Sequence, residues 1–432
     1  MGTSQTIDSD FTTPIQVIGS DDILTINAGV QGVLDVLAID AETVADNRMF
    51  DIRGRVTANN GADVLHLGLV SDPSGSSGGQ INLRGSGRLT SDTGTVIAAY
   101  IQDVEIIING NIKGQNGIIG DLFGGSLVSK GNIVAVEQAF FSTGGAFDFT
   151  NKGLVKSTDD ITVTLTGNGN NLFNYGDIRG LGAGPTVFFD SAIGNFNTCR
   201  NNGGIFSADI AIECKAGNDQ VFNDGFVKGD IMLGDGFDQF SCKRGTVDGS
   251  VYGGADDDTY NIFSRKISIV ELDGGGIDTV FASRNTKLQQ FTENLFLLGG
   301  ADLIGSGNAE DNDIYGNKGD NLLKGFDGAD LFSAGRGNDK CFGGTGPDTF
   351  MIYSDSGKDR VMDFSWQEDV LDVDSFGYDT FSQVMNHVVA IKGGVMFTDG
   401  GARIELPDVK LNQLEEANFH YRTGIIPISA LL

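Results

Sequence analysis

The chain has 432 residues, 64 of them glycine and only 6 proline, and its 29 basic against 58 acidic side chains leave a net charge of −29. Hydrophobic residues make up 40%, enough for a core, which excludes wholesale disorder, and glycine without a Gly-X-Y period excludes collagen. The acidity argues against nucleic acid and anionic lipid as partners, because like charges repel, and it suits cations, above all the hard, oxygen-loving calcium ion.

Residues 1–50 read as an N-terminal cap. Met1-Gly-Thr-Ser-Gln-Thr-Ile-Asp8 is polar and lacks a basic segment followed by an apolar one, so no cleavable secretory signal is expected there. No run in the chain has the length and apolarity of a membrane-spanning helix.

Residues 51–305 are organised by a repeat. Gly-x-(Val/Ile/Leu) occurs at Gly54, Gly87, Gly110, Gly131, Gly153, Gly176, Gly203, Gly225 and Gly245, mostly near 22 residues apart. Asparagine precedes the glycine by two at Asn151, Asn174, Asn201 and Asn223. This period fits one coil of a parallel β-helix, with short strands whose alternate branched residues point inward, and helical periodicity is almost absent. The pairs Phe140-Phe141 and Phe188-Phe189 suit stacked core ladders. Asp72-Pro-Ser-Gly-Ser-Ser-Gly-Gly79 contains a Gly-x-Ser-x-Gly string, but its surroundings read as a flexible insertion, not a strand-to-helix elbow.

A second pattern, Gly-Gly-x-Gly-x-Asp-x-(apolar)-x, begins loosely near residue 213. It places Asp219, Asp238, Asp258 and Asp278 about one coil apart. From residue 307 it becomes strict, as in Gly325-Phe-Asp-Gly-Ala-Asp-Leu-Phe-Ser333 and Gly343-Gly-Thr-Gly-Pro-Asp-Thr-Phe-Met351. Its sixth positions, Asn312, Asn321, Asp330, Asp339 and Asp348, fall nine residues apart, and the apolar Ile314, Leu323, Phe332, Cys341 and Phe350 keep the same step.

These nonapeptides resemble the RTX (hemolysin-type) calcium-binding repeats. The resemblance implies an all-β fold: a right-handed parallel β-helix continuing into an RTX calcium β-roll over 306–360, then a β-rich C-terminal cap over 361–432. Right-handedness follows the usual crossover rule. It further implies Ca2+ as the cofactor, held by turn carbonyls and sixth-position side chains. The candidate metal residues are Asp219, Asp238, Asp258, Asp278, Asn312, Asn321, Asp330, Asp339 and Asp348. Two nonapeptides make a coil, so the expected stacked pairs are Asp330–Asp348, Asn321–Asp339 and Asn312–Asp330. In the wider coils they are Asp219–Asp238, Asp238–Asp258 and Asp258–Asp278. The tail from Asp359 resembles that of type I-secreted relatives, with Ile425-Ile-Pro-Ile-Ser-Ala-Leu-Leu432 as the uncleaved export signal.

The sequence departs from the pattern in three ways. Asn312 and Asn321 carry less charge than aspartate, Glu310 replaces a fourth-position glycine, and cysteine is unusual in this family. Cys199, Cys214, Cys242 and Cys341 form no CxxC pair, which argues against zinc. They read as buried apolar residues, with Cys199–Cys214 or Cys214–Cys242 as the alternative disulfide. No HExxH occurs, and His66, His387 and His420 are isolated.

The expected function is that of a secreted, extracellular or cell-surface calcium-binding structural or adhesive protein, not an enzyme. Its expected partners are calcium ions, a type I exporter, and its own copies or cell-surface polysaccharide. The alternative is a polysaccharide lyase, hydrolase or epimerase, for which Arg53, Arg55, Arg84 and Arg88 offer a small basic patch.

Overall fold

The computed structural model describes residues 4–421 except 14, 17–22, 28–29, 35–38, 42–48, 59–62, 69–79, 101, 193 and 264–266. The insertion at 72–79 and the terminal segment 425–432 therefore lie outside the described residues. Among those described, regular structure is almost entirely strand, with a single α-helix, Phe381–Met385. The fold is an all-β parallel solenoid made of two compact units: residues 1–256 with 267–269, and residues 257–266 with 270–432.

In the first unit most coils contribute three short strands, and in the later coils two of these merge into one long strand, Gly204–Cys214 and Phe226–Asp235. Glu105–Ile108, Asn111–Gly114 and Asn116–Asp121 form one coil; Ser126–Ser129, Asn132–Ala135 and Phe140–Ser142 form the next. Every equivalent strand pairs in parallel and in register with its successor. Register is pinned because a one-residue slip would turn every core side chain outward. Ile106, Leu127, Phe149, Leu172, Cys199, Val221 and Phe240 make one buried file. Leu89, Ile112, Ile133, Val155, Ile178, Ile205 and Val227 make a second. Each large apolar side chain so buried contributes about 1.5–3 kcal/mol.

The repeated glycine has a packing cause. A Cβ on Gly153 or Gly176 would collide with the carbonyl of the glycine one coil earlier. The coils thus approach backbone to backbone at this corner, and only glycine fits. Of the two phenylalanine pairs, Phe140 and Phe189 point into the core while Phe141 and Phe188 are only half-buried, as strand alternation requires.

The asparagine two residues earlier completes the corner. Asn151 Nδ2 donates to Asn174 Oδ1 at 2.8 Å, Asn174 to Asn201 at 2.8 Å, and Asn201 to Asn223 at 2.9 Å. Each remaining amide hydrogen goes to a backbone carbonyl of the following coil, as from Asn174 to Gly204 at 3.0 Å. All four side chains are buried. This ladder lets polar groups occupy the core without losing hydrogen bonds.

The four cysteines are free and buried. Neither alternative disulfide forms, because Cys199 and Cys242 lie on one sheet and Cys214 on the other, each inside an apolar file. Burial pushes the Cys199 thiol up to about 12.

In the second unit the coil shortens. Asp313–Tyr315, Leu331–Ser333 and Thr349–Met351 stack on one sheet; Leu322–Asp327 and Lys340–Thr345 stack on the other. One nonapeptide supplies one strand, so two make a coil. Ile314, Phe332 and Phe350 form one inward file, with the Phe332 and Phe350 rings stacked at 5.0 Å. Leu323 and Cys341 face them from the opposite sheet. Beyond the roll, Val388–Ile391, Gly394–Asp399 and Ala402–Pro407 form an antiparallel meander. Its last strand pairs in parallel with Lys358–Val361, covering an edge that would otherwise be open.

Replacing Asn174 by alanine leaves Asn151 without its acceptor and Asn201 without its donor. The expected cost is about 1–3 kcal/mol per orphaned buried group, read as a lower urea midpoint with an unchanged slope.

Candidate metal centre

All nine sixth-position residues are buried, none more than 3% exposed, on a chain whose net charge is strongly negative. Glycine makes the turns they sit in. The fourth positions Gly337 and Gly346 adopt φ of 129° and 117°, a region L side chains rarely occupy.

The structure joins these residues coil to coil. In the first unit Asp238 Oδ1 accepts the Asp219 N–H at 2.6 Å, and Asp219 Oδ1 accepts the Asn197 N–H at 2.6 Å. In the second unit Asp278 accepts from Asp258 at 2.8 Å, Asp330 from Asn312 at 2.9 Å, and Asp348 from Asp330 at 3.0 Å. On the opposite corner Asp339 accepts from Asn321 at 2.6 Å.

That bond uses one carboxylate oxygen. The other is left over. Oδ2 of Asp219, Asp278, Asp330, Asp339 and Asp348 is buried without a hydrogen-bond partner. A buried anionic oxygen in this state is strongly unfavourable unless a cation or proton meets it. Asp330 Oδ2 packs directly against Gly325: a Cβ there would run into it and sit 2.5 Å from the Gly343 carbonyl of the following coil. A Cβ on Gly343 would likewise meet Asp348 Oδ2. The groups left over are carboxylate oxygens beside turn carbonyls, an oxygen-only donor set that fits calcium and suits zinc or copper poorly.

The electrostatics agree. Burial raises the Asp219 and Asp278 carboxyls to about 6, Asp330 and Asp348 to about 7, and Asp238 to about 8, with neighbouring acids adding to most of these shifts. Burial also raises Asp339 and Asp359, which face each other as like charges. Without a cation, protonation at these sites reaches well above the ordinary carboxyl range, most of all at Asp238.

The two asparagines behave differently. Asn312 Oδ1 accepts the Asn308 N–H at 2.7 Å and its amide donates to the Thr292 carbonyl at 3.2 Å. Asn321 Oδ1 accepts the Asn317 N–H at 2.8 Å and its amide donates to Asn317 Oδ1 at 3.0 Å. Both turns close on the protein's own groups.

The files also extend past the nonapeptides. Asp359 Oδ1 accepts the Asp339 N–H at 2.9 Å, Asp369 Oδ1 the Asp348 N–H at 3.0 Å, and Glu293 Oε2 the Asp278 N–H at 2.7 Å. Sequence spacing hides them, because these coils are 20, 21 and 15 residues long instead of 18. Glu293 and Asp369 each stand just before a strand, and Asp359 stands second in the strand Lys358–Val361.

A parallel solenoid with buried, cation-seeking carboxylates in glycine turns defines a calcium-binding β-roll. Residues 306–341 and 315–350 match the RTX calcium-binding nonapeptide repeat (4 copies). The chain therefore carries RTX repeats, and Ca2+ is their ion. It is 30% identical over 143 residues to the endo-1,3-1,4-beta-glycanase ExsH of Rhizobium meliloti (strain 1021), spanning 33% of this chain and 28% of the length of that relative. It is also similar to the solution structure of the AlgE6R3 subunit from the Azotobacter vinelandii mannuronan C5-epimerase, with TM-score 0.24 and 22% identity over 30% of this chain and 84% of that one. Among the described residues no helix is long and apolar enough to cross a membrane.

The raised carboxyl values fix a pH dependence. Ordinary carboxyls titrate near 4, so the calcium-free fold binds more protons than the unfolded chain. The stability this contributes is fully present below about pH 4 and is lost as pH rises through about 7. In chelator the melting temperature should fall between pH 5 and 8. Calcium must displace those protons, so its apparent affinity should climb over the same range, by roughly tenfold per pH unit for each proton released. Calorimetric titration at stepped pH checks both signs.

Proposed function

We propose that this chain is a secreted calcium-binding structural or adhesive protein whose RTX block folds on calcium outside the producing cell. The observation that carries the reading is the file of buried, partnerless aspartate Oδ2 atoms. Coils stack about 4.8 Å apart, and carboxylates repeated at that distance repel. A divalent ion between them reverses the sign, so binding energy becomes folding energy. Extracellular calcium modules bind at about 10⁻⁴–10⁻³ M, which suits a block that stays loose where calcium is scarce.

On this reading the ligands are Asp219, Asp238, Asp258, Asp278, Asp330, Asp339 and Asp348. Asn312 and Asn321 contribute less, since their side chains are already bonded to protein groups. The chain divides into a cap (1–50), a β-helix (51–305), the β-roll (306–360) and a C-terminal cap carrying a type I secretion signal (361–432). A type I exporter is then the route out, and self-assembly or cell-surface polysaccharide the destination.

Far-UV circular dichroism during a calcium titration tests this. The double variant Asp330→Asn/Asp348→Asn should need severalfold more calcium to reach the folded signal. An unchanged midpoint, or a β signal indifferent to chelator, rejects the proposal.

A second reading, carbohydrate recognition, has its own support in the first unit. Lys113, Val134, Lys156 and Arg179 occupy equivalent positions on successive coils. Lys152, Lys156, Asp177 and Arg179 line an open groove of about 510 Å³. This is a basic strip on an acidic protein. Both guanidiniums of the patch at Arg53 and Arg84 pair with Asp51 at 2.8 and 2.7 Å, and in the strip Arg179 pairs with Asp177 at 2.6 Å. Lys156→Ala/Arg179→Ala should lose retention on an immobilised polyuronate while calcium folding is unchanged. Equal retention of variant and parent would remove the support for this reading.

A further inference from the structure

Glu271 brings a third carboxylate to one pair of the turn aspartates. One carboxylate oxygen each from Asp258, Glu271 and Asp278 lie within 4.8 Å of one another, and the three residues are 1%, 6% and 1% exposed. Chain geometry assembles them from three places. Asp258 precedes the strand Thr259–Ile262, Glu271 follows Ser268–Val270, and Asp278 precedes Thr279–Ala282. The first and third of these strands are stacked neighbours, so their leading aspartates align, and the segment between returns Glu271 to the same point.

Two further facts distinguish the cluster from an acidic surface. Asp278 spends Oδ1 on the Asp258 N–H at 2.8 Å, and its buried Oδ2 has no hydrogen-bond partner. The hydroxyl of the fully buried Tyr260 donates to Glu271 Oε1, and burial together with the Glu271 charge raises that phenol well above its ordinary value. Tyr260 therefore stays neutral and acts as a fixed donor that orients Glu271, the part an outer hydrogen bond plays for a metal ligand.

We propose that Glu271 joins the turn aspartates Asp258 and Asp278 in one three-carboxylate calcium site, tighter than the repeat turns of residues 306–360 and still loaded when those turns are empty. The proposal rests on the calcium reading of the chain: two of its ligands are turn aspartates, and the third, Glu271, lies outside the nonapeptide motif. Three carboxylates on oxygen-only ligation select a hard divalent ion, and affinity rises with the number of charged ligands. A repeat turn such as that of Asp330 offers one buried carboxylate oxygen without a hydrogen-bond partner. A difference of tenfold or more in dissociation constant is expected between the two classes.

The experiment uses the full chain and two readouts. First, wild-type protein is dialysed into calcium at a level that empties the repeat turns, and its metal content is measured by mass spectrometry. One retained equivalent is expected; none would overturn the proposal. Second, terbium is titrated with tyrosine excitation. A first equivalent should light up through Tyr260, be displaced by calcium, disappear in Glu271→Gln and persist in Asp348→Asn. Glutamine keeps the acceptor for the Tyr260 hydroxyl while removing the charge, so the comparison isolates ligation. A first equivalent unchanged in Glu271→Gln sinks this site and leaves the turns standing. A tight equivalent without any later calcium phase would sink the turn reading and leave this site standing.

Discussion

Like charges buried one coil apart are the constraint on which the C-terminal half of this solenoid turns. Parallel stacking copies each position onto its equivalent in the next coil, and a repeat that puts aspartate at a turn must therefore stack aspartate on aspartate. One oxygen of each side chain is neutralised by the N–H of the preceding coil, as Asp330 is by Asn312. The other oxygen is not. Water is excluded, so only protons or cations can complete the site. A site of this kind couples cation binding to the stability of the fold around it.

Part of the first unit solves the same stacking problem without ions. Its corners carry asparagine, which is both donor and acceptor and can therefore bond to a copy of itself. Asn151, Asn174, Asn201 and Asn223 form such a file, and the glycine beside each allows the backbones to close. Asn170 and Asn197 lead into Asp219 on the neighbouring file, where the self-satisfying amide gives way to the cation-seeking carboxylate. The change from amide to acid along one column is thus a change in what must be supplied from outside.

Asn312 and Asn321 show the same chemistry inside the repeat block. By motif they stand where aspartate belongs, yet each closes its turn on a protein N–H and a protein oxygen. The repeat block therefore carries both kinds of turn, those closed by the protein's own groups and those that leave a carboxylate oxygen over.

Much of this was readable in the amino-acid order, because a solenoid's contacts are periodic along the chain. The 22-residue glycine step, the 18-residue roll and the inward files at Ile314, Phe332 and Phe350 all follow from spacing, as do the stacked neighbours Asp219–Asp238 and Asp330–Asp348. Spacing fails wherever a coil changes length. Asp359, Asp369 and Glu293 join the carboxylate files at irregular intervals, and only the backbone path reveals it. Glu271 is the extreme case, a residue with no motif that meets Asp258 and Asp278 because an intervening segment folds back. The partners of the asparagine amides and the separation of Cys199 from Cys214 onto different sheets were likewise settled in three dimensions. Residue type and period determine which groups must stack; loop length and side-chain direction, which no period encodes, decide what each of them meets.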